Sequence, residues 1–249
     1  AFHAELGPSQ ITALQVAAWN AHRDVVRVLL EHRADVDKAD AKGKTALAYA
    51  AGTSCEHIVA SLLRARADVS ARDDSRRTPL LFCVGADTSR LQEPVIRSLL
   101  QARASVDDVD CKGIGVMAAA AAIGQVKVLK VLVENKADIE MRDEEGQRPL
   151  SFAAARGRLE AVQYLLDVGA NRDACDLHGV SAMIMAASRG EVAVVDFLLQ
   201  KQADLLQEDI YGRQALWYAV SSQETKMVDY LRKQSTAWKD SNQLNDAES

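Results

Sequence analysis

Histidines, cysteines and clustered carboxylates are the first places to look for chemistry in this 249-residue chain. The five histidines, His3, His22, His32, His57 and His178, are scattered and form no HExxH pair. They read as surface imidazoles rather than as metal ligands or a catalytic base. The four cysteines, Cys55, Cys83, Cys111 and Cys175, show no CxxC spacing, which argues against both a zinc site and a disulfide framework. Carboxylates cluster at Asp73-Asp74, at Asp107-Asp108 with Asp110, and at Asp143-Glu144-Glu145, without the twelve-residue spacing of a calcium loop. Each cluster lies in or beside a turn, where Asp is wanted for backbone hydrogen bonding. Neither common glycine-rich phosphate loop is present, nor a GxSxG nucleophile turn. We therefore expect no enzymatic activity, no cofactor and no metal.

Charge and hydropathy narrow the partners. Thirty basic and 35 acidic residues leave a formal charge of −5, which implies neither nucleic acid nor an anionic membrane surface. No run of eighteen apolar residues occurs, which excludes a transmembrane helix. Unpaired cysteines suit a reducing setting, so an intracellular, cytoplasmic location is expected. The sequence opens at Ala1 without methionine, and a targeting segment upstream of it would redirect the chain to an organelle.

The elements that must position any site are clearest between Asp143 and Cys175. Asp143-Glu144-Glu145-Gly146 reads as a tight turn. Pro149 suits a first helical residue, because its missing N–H is one that the helix end leaves unpaired. Leu150, Ala153 and Ala154 then make a narrow apolar stripe, whose methyl groups let another helix approach closely. Gly157 ends this helix. A second starts near Leu159, with Leu159, Val162, Leu165 and Leu166 at helical spacing, Gly169 as its left-handed cap and an extended return to the next Asp. Neither helix is long enough to stand alone in water, so neighbours must cover both apolar faces.

The pattern Asp-x-x-Gly-x-x-Pro-Leu, then Ala-Ala, Gly, Val-x-x-Leu-Leu and Gly-Ala-Asn resembles the ankyrin repeat, a turn and two antiparallel helices with a period near 33. Leading aspartates at Asp40, Asp73, Asp110, Asp143, Asp176 and Asp209 are separated by 33, 37, 33, 33 and 33 residues. The residues matching Leu150 and the return-loop Ala170 keep the same register. The resemblance implies an all-α ankyrin-repeat solenoid over 1–234. Its seven repeats are read at about 7–39, 40–72, 73–109, 110–142, 143–175, 176–208 and 209–234. A polar tail, 235–249, is expected to be disordered. Such a stack is a single quasi-linear array without an internal domain boundary.

Departures from the pattern point to local features. Where the second helix should end in Gly, the chain has Arg33, Arg66, Arg103, Lys136 and Gln202, and only Gly169 conforms. Positive φ is expected there, with the strain partly offset by a cation at a helix C-terminus. The four extra residues of the third repeat must fall between its helices, in 85–94. In the fourth repeat Gly115-Val116-Met117 replaces the Thr-Pro-Leu opening, so a local weak point is expected. Cys83 reads as a small core hydrophobe.

Function is what the resemblance implies. Ankyrin-repeat proteins bind folded partners through turn tips and inner-helix positions, which fall here on Trp19, Arg77, Ile114, Ile123, Arg156, Leu177, His178, Val180, Arg189, Ile210, Tyr211 and Arg213. Trp19 serves as either an end cap or a contact residue. Leu177, Val180, Ile210 and Tyr211 are apolar on turns that face away from the helical core, and we expect them to form one exposed cluster. The expected function is a scaffold or adaptor that binds a protein partner through the groove. Two alternatives are a permanent subunit of a large assembly and a regulatory module of a larger enzyme or channel.

Overall fold

The computed structural model describes residues 10–85 and 92–245, with side chains through Ser235. Fourteen α-helices and no strands occur among them. The chain forms two compact units, residues 1–120 with 125–138, and residues 121–124 with 139–249. The first unit holds α1 (Ala13–Trp19), α2 (Arg23–Glu31), α3 (Ala46–Gly52), α4 (Glu56–Arg64), α5 (Pro79–Val84), α6 (Glu93–Gln101), most of α7 (Val116–Ile123) and α8 (Val126–Glu134). The second holds α9 (Pro149–Ala155), α10 (Leu159–Asp167), α11 (Ala182–Ser188), α12 (Val192–Gln200), α13 (Ala215–Ser221) and α14 (Thr225–Asn245). No helix among the described residues is long and apolar enough to cross a membrane.

Two layers build each unit. First helices stack on one another, α1 on α3 on α5 and α9 on α11 on α13, and second helices do the same, α2 to α8 and α10 to α14. The alanine stripes make the first layer possible: Ala50, Ala51, Ala153, Ala154, Ala186 and Ala187 are wholly buried. Leucines and valines of the second helices, such as Leu62, Leu99, Leu165 and Leu198, fill the space between the layers and are also fully buried. Burying one such side chain is worth about 2 kcal/mol, and the sum is shared along the stack. Cys83 is among these core residues, and burial pushes its thiol up to about 12.

Turns link the layers. In all six Asp-led turns the leading carboxylate Oδ1 accepts two backbone N–H groups, from the residues two and four further on. At Asp176 these come from His178 and Val180, both at 2.8 Å. Successive turns then hydrogen-bond through the backbone, Asp74 N–H to Lys42 O, Cys111 to Ser75, Leu177 to Glu145 and Ile210 to His178, at 2.8–3.0 Å. The glycine of the turn sits at positive φ except in the third repeat, where Arg76 takes its place at φ 60°.

The helix starts follow side-chain chemistry. Thr12 forms a capping box with Gln15, whose amide also donates to the Lys38 and Lys44 carbonyls and so ties the first turn to the second. Thr45 and Ser181 cap α3 and α11 through the hydroxyl alone, which accepts the backbone N–H of Ala48 and of Ile184. At the second-helix ends, Arg33, Arg66, Arg103, Lys136 and Gln202 all have positive φ, between 56° and 69°, as their register requires. Eight residues separate α5 from α6, where other helix pairs are joined by two or three, which places the insertion of the third repeat; 86–91 lie outside the described residues.

The expected tail is where the backbone differs most from the sequence reading. Helix α14 continues from Thr225 to Asn245, well past Gln234, and only 246–249 lie outside the described residues. Met227 and Leu231 are fully buried and anchor its first turns. Neither Gly nor Pro interrupts the segment beyond them, so a polar stretch extends a helix already nucleated.

The stacked turns make a prediction. Gly179 has φ +76°, and an added Cβ would stand 3.0 Å from Asp209 Cα and Ile210 N, whereas Gly169, at φ +101°, has nothing within 4 Å. Gly179→Ala should therefore lose about 2 kcal/mol, and Gly169→Ala only the dihedral cost of about 1 kcal/mol. Urea unfolding midpoints compare them directly, and equal losses would mean that the turns are not closely stacked.

Candidate protein-binding site

Asp209 organises the most exposed apolar surface among the described residues. Its Oδ1 accepts the backbone N–H of Tyr211 (2.8 Å) and of Arg213 (2.9 Å). Oδ2 accepts the Tyr218 hydroxyl at 2.6 Å and Arg213 Nε at 2.7 Å. The carboxylate is fully buried, while the Arg213 side chain remains 30% exposed. Held in place by Asp209, the guanidinium lies 4.5 Å from the ring centres of both Tyr211 and Trp217 and 5.1 Å from that of Tyr218. Cation–π contacts of this kind add to the ion pair and make the group rigid.

The electrostatics match the geometry. Burial alone would favour the neutral acid, but hydrogen bonds from Arg213, Tyr218 and two backbone N–H groups outweigh it and hold the Asp209 carboxyl well below the usual range. The Tyr218 phenol is pushed up to about 12 by burial and by its hydrogen bond to that carboxylate. The equivalent Asp143 has the opposite shift. Burial raises it, the N–H groups of Gln147 and Glu145 only partly compensate, and repulsion by Glu145 and Asp176 adds to the rise.

Around the Arg213 group stand the turn-tip residues. The bond from Ile210 N–H to the His178 carbonyl sets the last two tips side by side. Leu177, Ile210 and Tyr211 are 64%, 60% and 68% exposed, and His178 is exposed beside them. Arg156 and Arg189 are exposed at the C-caps of α9 and α11. Val180 does not join this surface. It is buried, because Asp176 ties its backbone at both N–H and C=O and its short branched side chain folds inward. Matching positions carry Lys44, Arg77, Ile114, Gln147 and Arg213, all half-buried.

The remaining residues expected at the site lie elsewhere. Ile123, at the end of α7, is half-buried rather than exposed. In the first unit Ile114 is half-buried too, its N–H donated to Asp110. Trp19 and Arg77 belong there to a second aromatic–cation series. Trp19 stacks on Tyr49 at 5.1 Å, Lys44 lies over both Tyr49 and Phe82, and Arg77 covers Phe82 at 4.4 Å while pairing with Asp73. Tyr49 donates to Asp40 Oδ2 at 2.6 Å, as Tyr218 does to Asp209.

Trp217 and Tyr218 escaped the sequence reading. Their signal was present: Trp217 comes directly after Leu216, where other repeats have Gln15, Ala48, Leu81, Ala118, Ser151 or Ile184. A bulky aromatic in a series of mostly small or aliphatic residues indicates a changed environment.

Comparison with known proteins agrees with the fold. A family model described as ankyrin repeats matches in three copies, over residues 2–73, 80–176 and 150–243. Among solved structures, the chain is similar to the ankyrin repeat domain of Bcl-3, described as a unique member of the IkappaB protein family. Identity is 23% and the TM-score 0.72, over 90% of this chain and 99% of that one. It is also similar to the human ASB11 ankyrin repeat domain, at 20% identity and TM-score 0.77, over 84% of this chain and 92% of that one. No curated protein matches.

Asp209 sets a pH prediction. A carboxyl whose folded value is depressed stabilises the fold fully above its unfolded value near 3.9, and this contribution is lost as pH falls toward the folded value. Asp209→Asn should be less stable than the unmodified chain, with a constant difference from about pH 5 to 8 that shrinks below about pH 4. Urea unfolding across pH checks it; a difference that grows on acidification would contradict the assignment.

Proposed function

Because the chain belongs to the ankyrin-repeat family, whose repeats are generally protein–protein interaction modules, we propose that it is a scaffold or adaptor whose partner docks on Leu177, His178, Ile210, Tyr211, Arg213 and Trp217. The observation that carries this reading is the rigid Arg213 group, set among large apolar side chains that the fold leaves in water. Folding does not require Leu177, Ile210 or Tyr211 to be apolar, since each is more than half exposed on a turn tip. A contiguous apolar patch of this kind marks a contact surface. Aromatic and Arg side chains supply most interface energy, and here they are already ordered, so docking loses little side-chain entropy.

Arg156 and Arg189, on the first helices of the same unit, extend the surface from the turn tips. Trp19, Arg77 and Ile114 would form a separate contact in the first unit.

Replacing Leu177, Ile210 and Tyr211 together by Ala should weaken partner binding by 30-fold or more, given about 2 kcal/mol for a hot-spot residue. Helicity and melting should stay unchanged, because the three side chains are exposed. Affinity capture from the native source, quantified by mass spectrometry for the intact and triple-alanine chains, reads the outcome. One partner lost selectively supports the assignment. An unchanged partner set refutes it.

A further inference from the structure

The turn tips of the second, third and fourth repeats carry charge that folding does not use. They lie in the first unit and form one row, because Asp74 N–H donates to Lys42 O at 3.0 Å and Cys111 N–H to Ser75 O at 2.8 Å. Lys42, Arg76 and Lys112 are exposed on successive tips. Their backbone N–H groups help to close the turns, but no ion pair or side-chain hydrogen bond among the described residues engages their cations. Arg76 is the hardest to explain by folding. At φ 60° it stands where the other Asp-led turns have Gly, and any side chain is strained there.

Two further cations in the same turns are held by aromatic rings. Lys44 Nζ lies 5.1 Å from the Phe82 ring centre and 5.6 Å from that of Tyr49. Arg77 lies 4.4 Å from Phe82, and its Nε and Nη2 bond Asp73 Oδ2 at 3.0 and 2.7 Å. Cations ordered in this way lose little freedom when an anion binds. The charge of the row is one-sided. The leading aspartates are engaged in closing the turns, and Asp74 is the one other carboxylate on these tips. The chain as a whole has a formal charge of −5, and the turn of the fifth repeat has Glu145 where the second has Lys42.

We propose that this row docks an acidic, extended segment of a protein partner, whose carboxylates meet Lys42, Arg76 and Lys112. The inference rests on the reading of the chain as a protein-binding module and gives the chemistry of its separate contact in the first unit. Helices in contact lie about 8–10 Å apart, so successive tips recur at about that step. A polyproline II segment advances about 9 Å in three residues, so a carboxylate at every third position would meet one tip cation per repeat. Single-stranded nucleic acid fits less well, because its bases need open aromatic faces. Here Tyr49 and Phe82 already carry Trp19, Lys44 and Arg77.

A phage-displayed library of random peptides of about ten residues, long enough to cross three tips at about 3.1 Å per residue, tests the chemistry when selected on the full chain. The recovered peptides should be enriched in Asp and Glu. Fluorescence anisotropy of labelled synthetic copies should show that Lys42→Glu with Lys112→Glu weakens binding by about tenfold or more, since like charges then face each other. Circular dichroism should not change, because both side chains are exposed. The same peptides with Lys in place of their acidic residues should prefer the charge-reversed chain to the intact one. Recovery of no peptides, recovery without acidic enrichment, equal binding to the two chains, or no preference of the Lys-bearing peptides would each overturn the proposal. So would labelled single-stranded DNA of the same length that binds more tightly and depends on the same two lysines. Leu177, Ile210 and Tyr211 are untouched by these variants, so such a failure leaves the proposed partner site standing.

Discussion

Every Asp-led turn in this protein is closed by one carboxylate oxygen that accepts two backbone N–H groups. The arrangement recurs at Asp40, Asp73, Asp110, Asp143, Asp176 and Asp209 with distances of 2.7–3.0 Å. Hydrogen bonds to a charged acceptor contribute about 1.5–3 kcal/mol each, more than neutral ones. They fold the turn so that its tip can hydrogen-bond to the tip before it. The helices are thereby set in register, and their alanine stripes meet. Without the turn, each short helix would be marginal in water.

One oxygen closes the turn and leaves the other available, and the local sequence decides its use. At Asp143 no cation arrives, and burial, with repulsion by nearby carboxylates added to it, raises the acid. At Asp73 an arginine arrives, at Asp40 a tyrosine, and at Asp209 both. A group needed only to close a turn thereby becomes the base on which a surface site is built. Arg213 is the clearest case: its position is set by Asp209 from below and by Tyr211 and Trp217 from the sides. A surface arginine normally gives up substantial rotamer freedom when it binds, and this one has already lost it in folding.

Repetition also explains why register alone does not set exposure. Ala187 and Val220 hold equivalent places in their helices, yet one is sealed and the other half open, because a first helix packs over only one of them. In a stack where each repeat touches only its neighbours, the environment of a residue depends on the adjacent repeat as much as on its own helix.

The all-α architecture, the paired helices, the Asp-led turns, the positive φ of the second-helix caps and the place of the insertion were legible in the sequence. Each rests on short-range chemistry that recurs with the period, namely Asx hydrogen bonding, apolar spacing and cap geometry. Leu177, Ile210 and Tyr211 were legible for a related reason, since an apolar residue on a turn tip has no folding role to explain it. The burial of Val180, the half-burial of Ile123, the recruitment of Trp217 and Tyr218 around Arg213, and the continuation of α14 to Asn245 were not. These depend on how far a side chain reaches, which ring lies beneath a cation and what covers a helix face. Residues distant in sequence decide such matters, and the 33-residue pattern is the same whether those neighbours are present or absent. Local chemistry, written in the residue order, defines the repeating unit; long-range packing selects which of its copies become a surface.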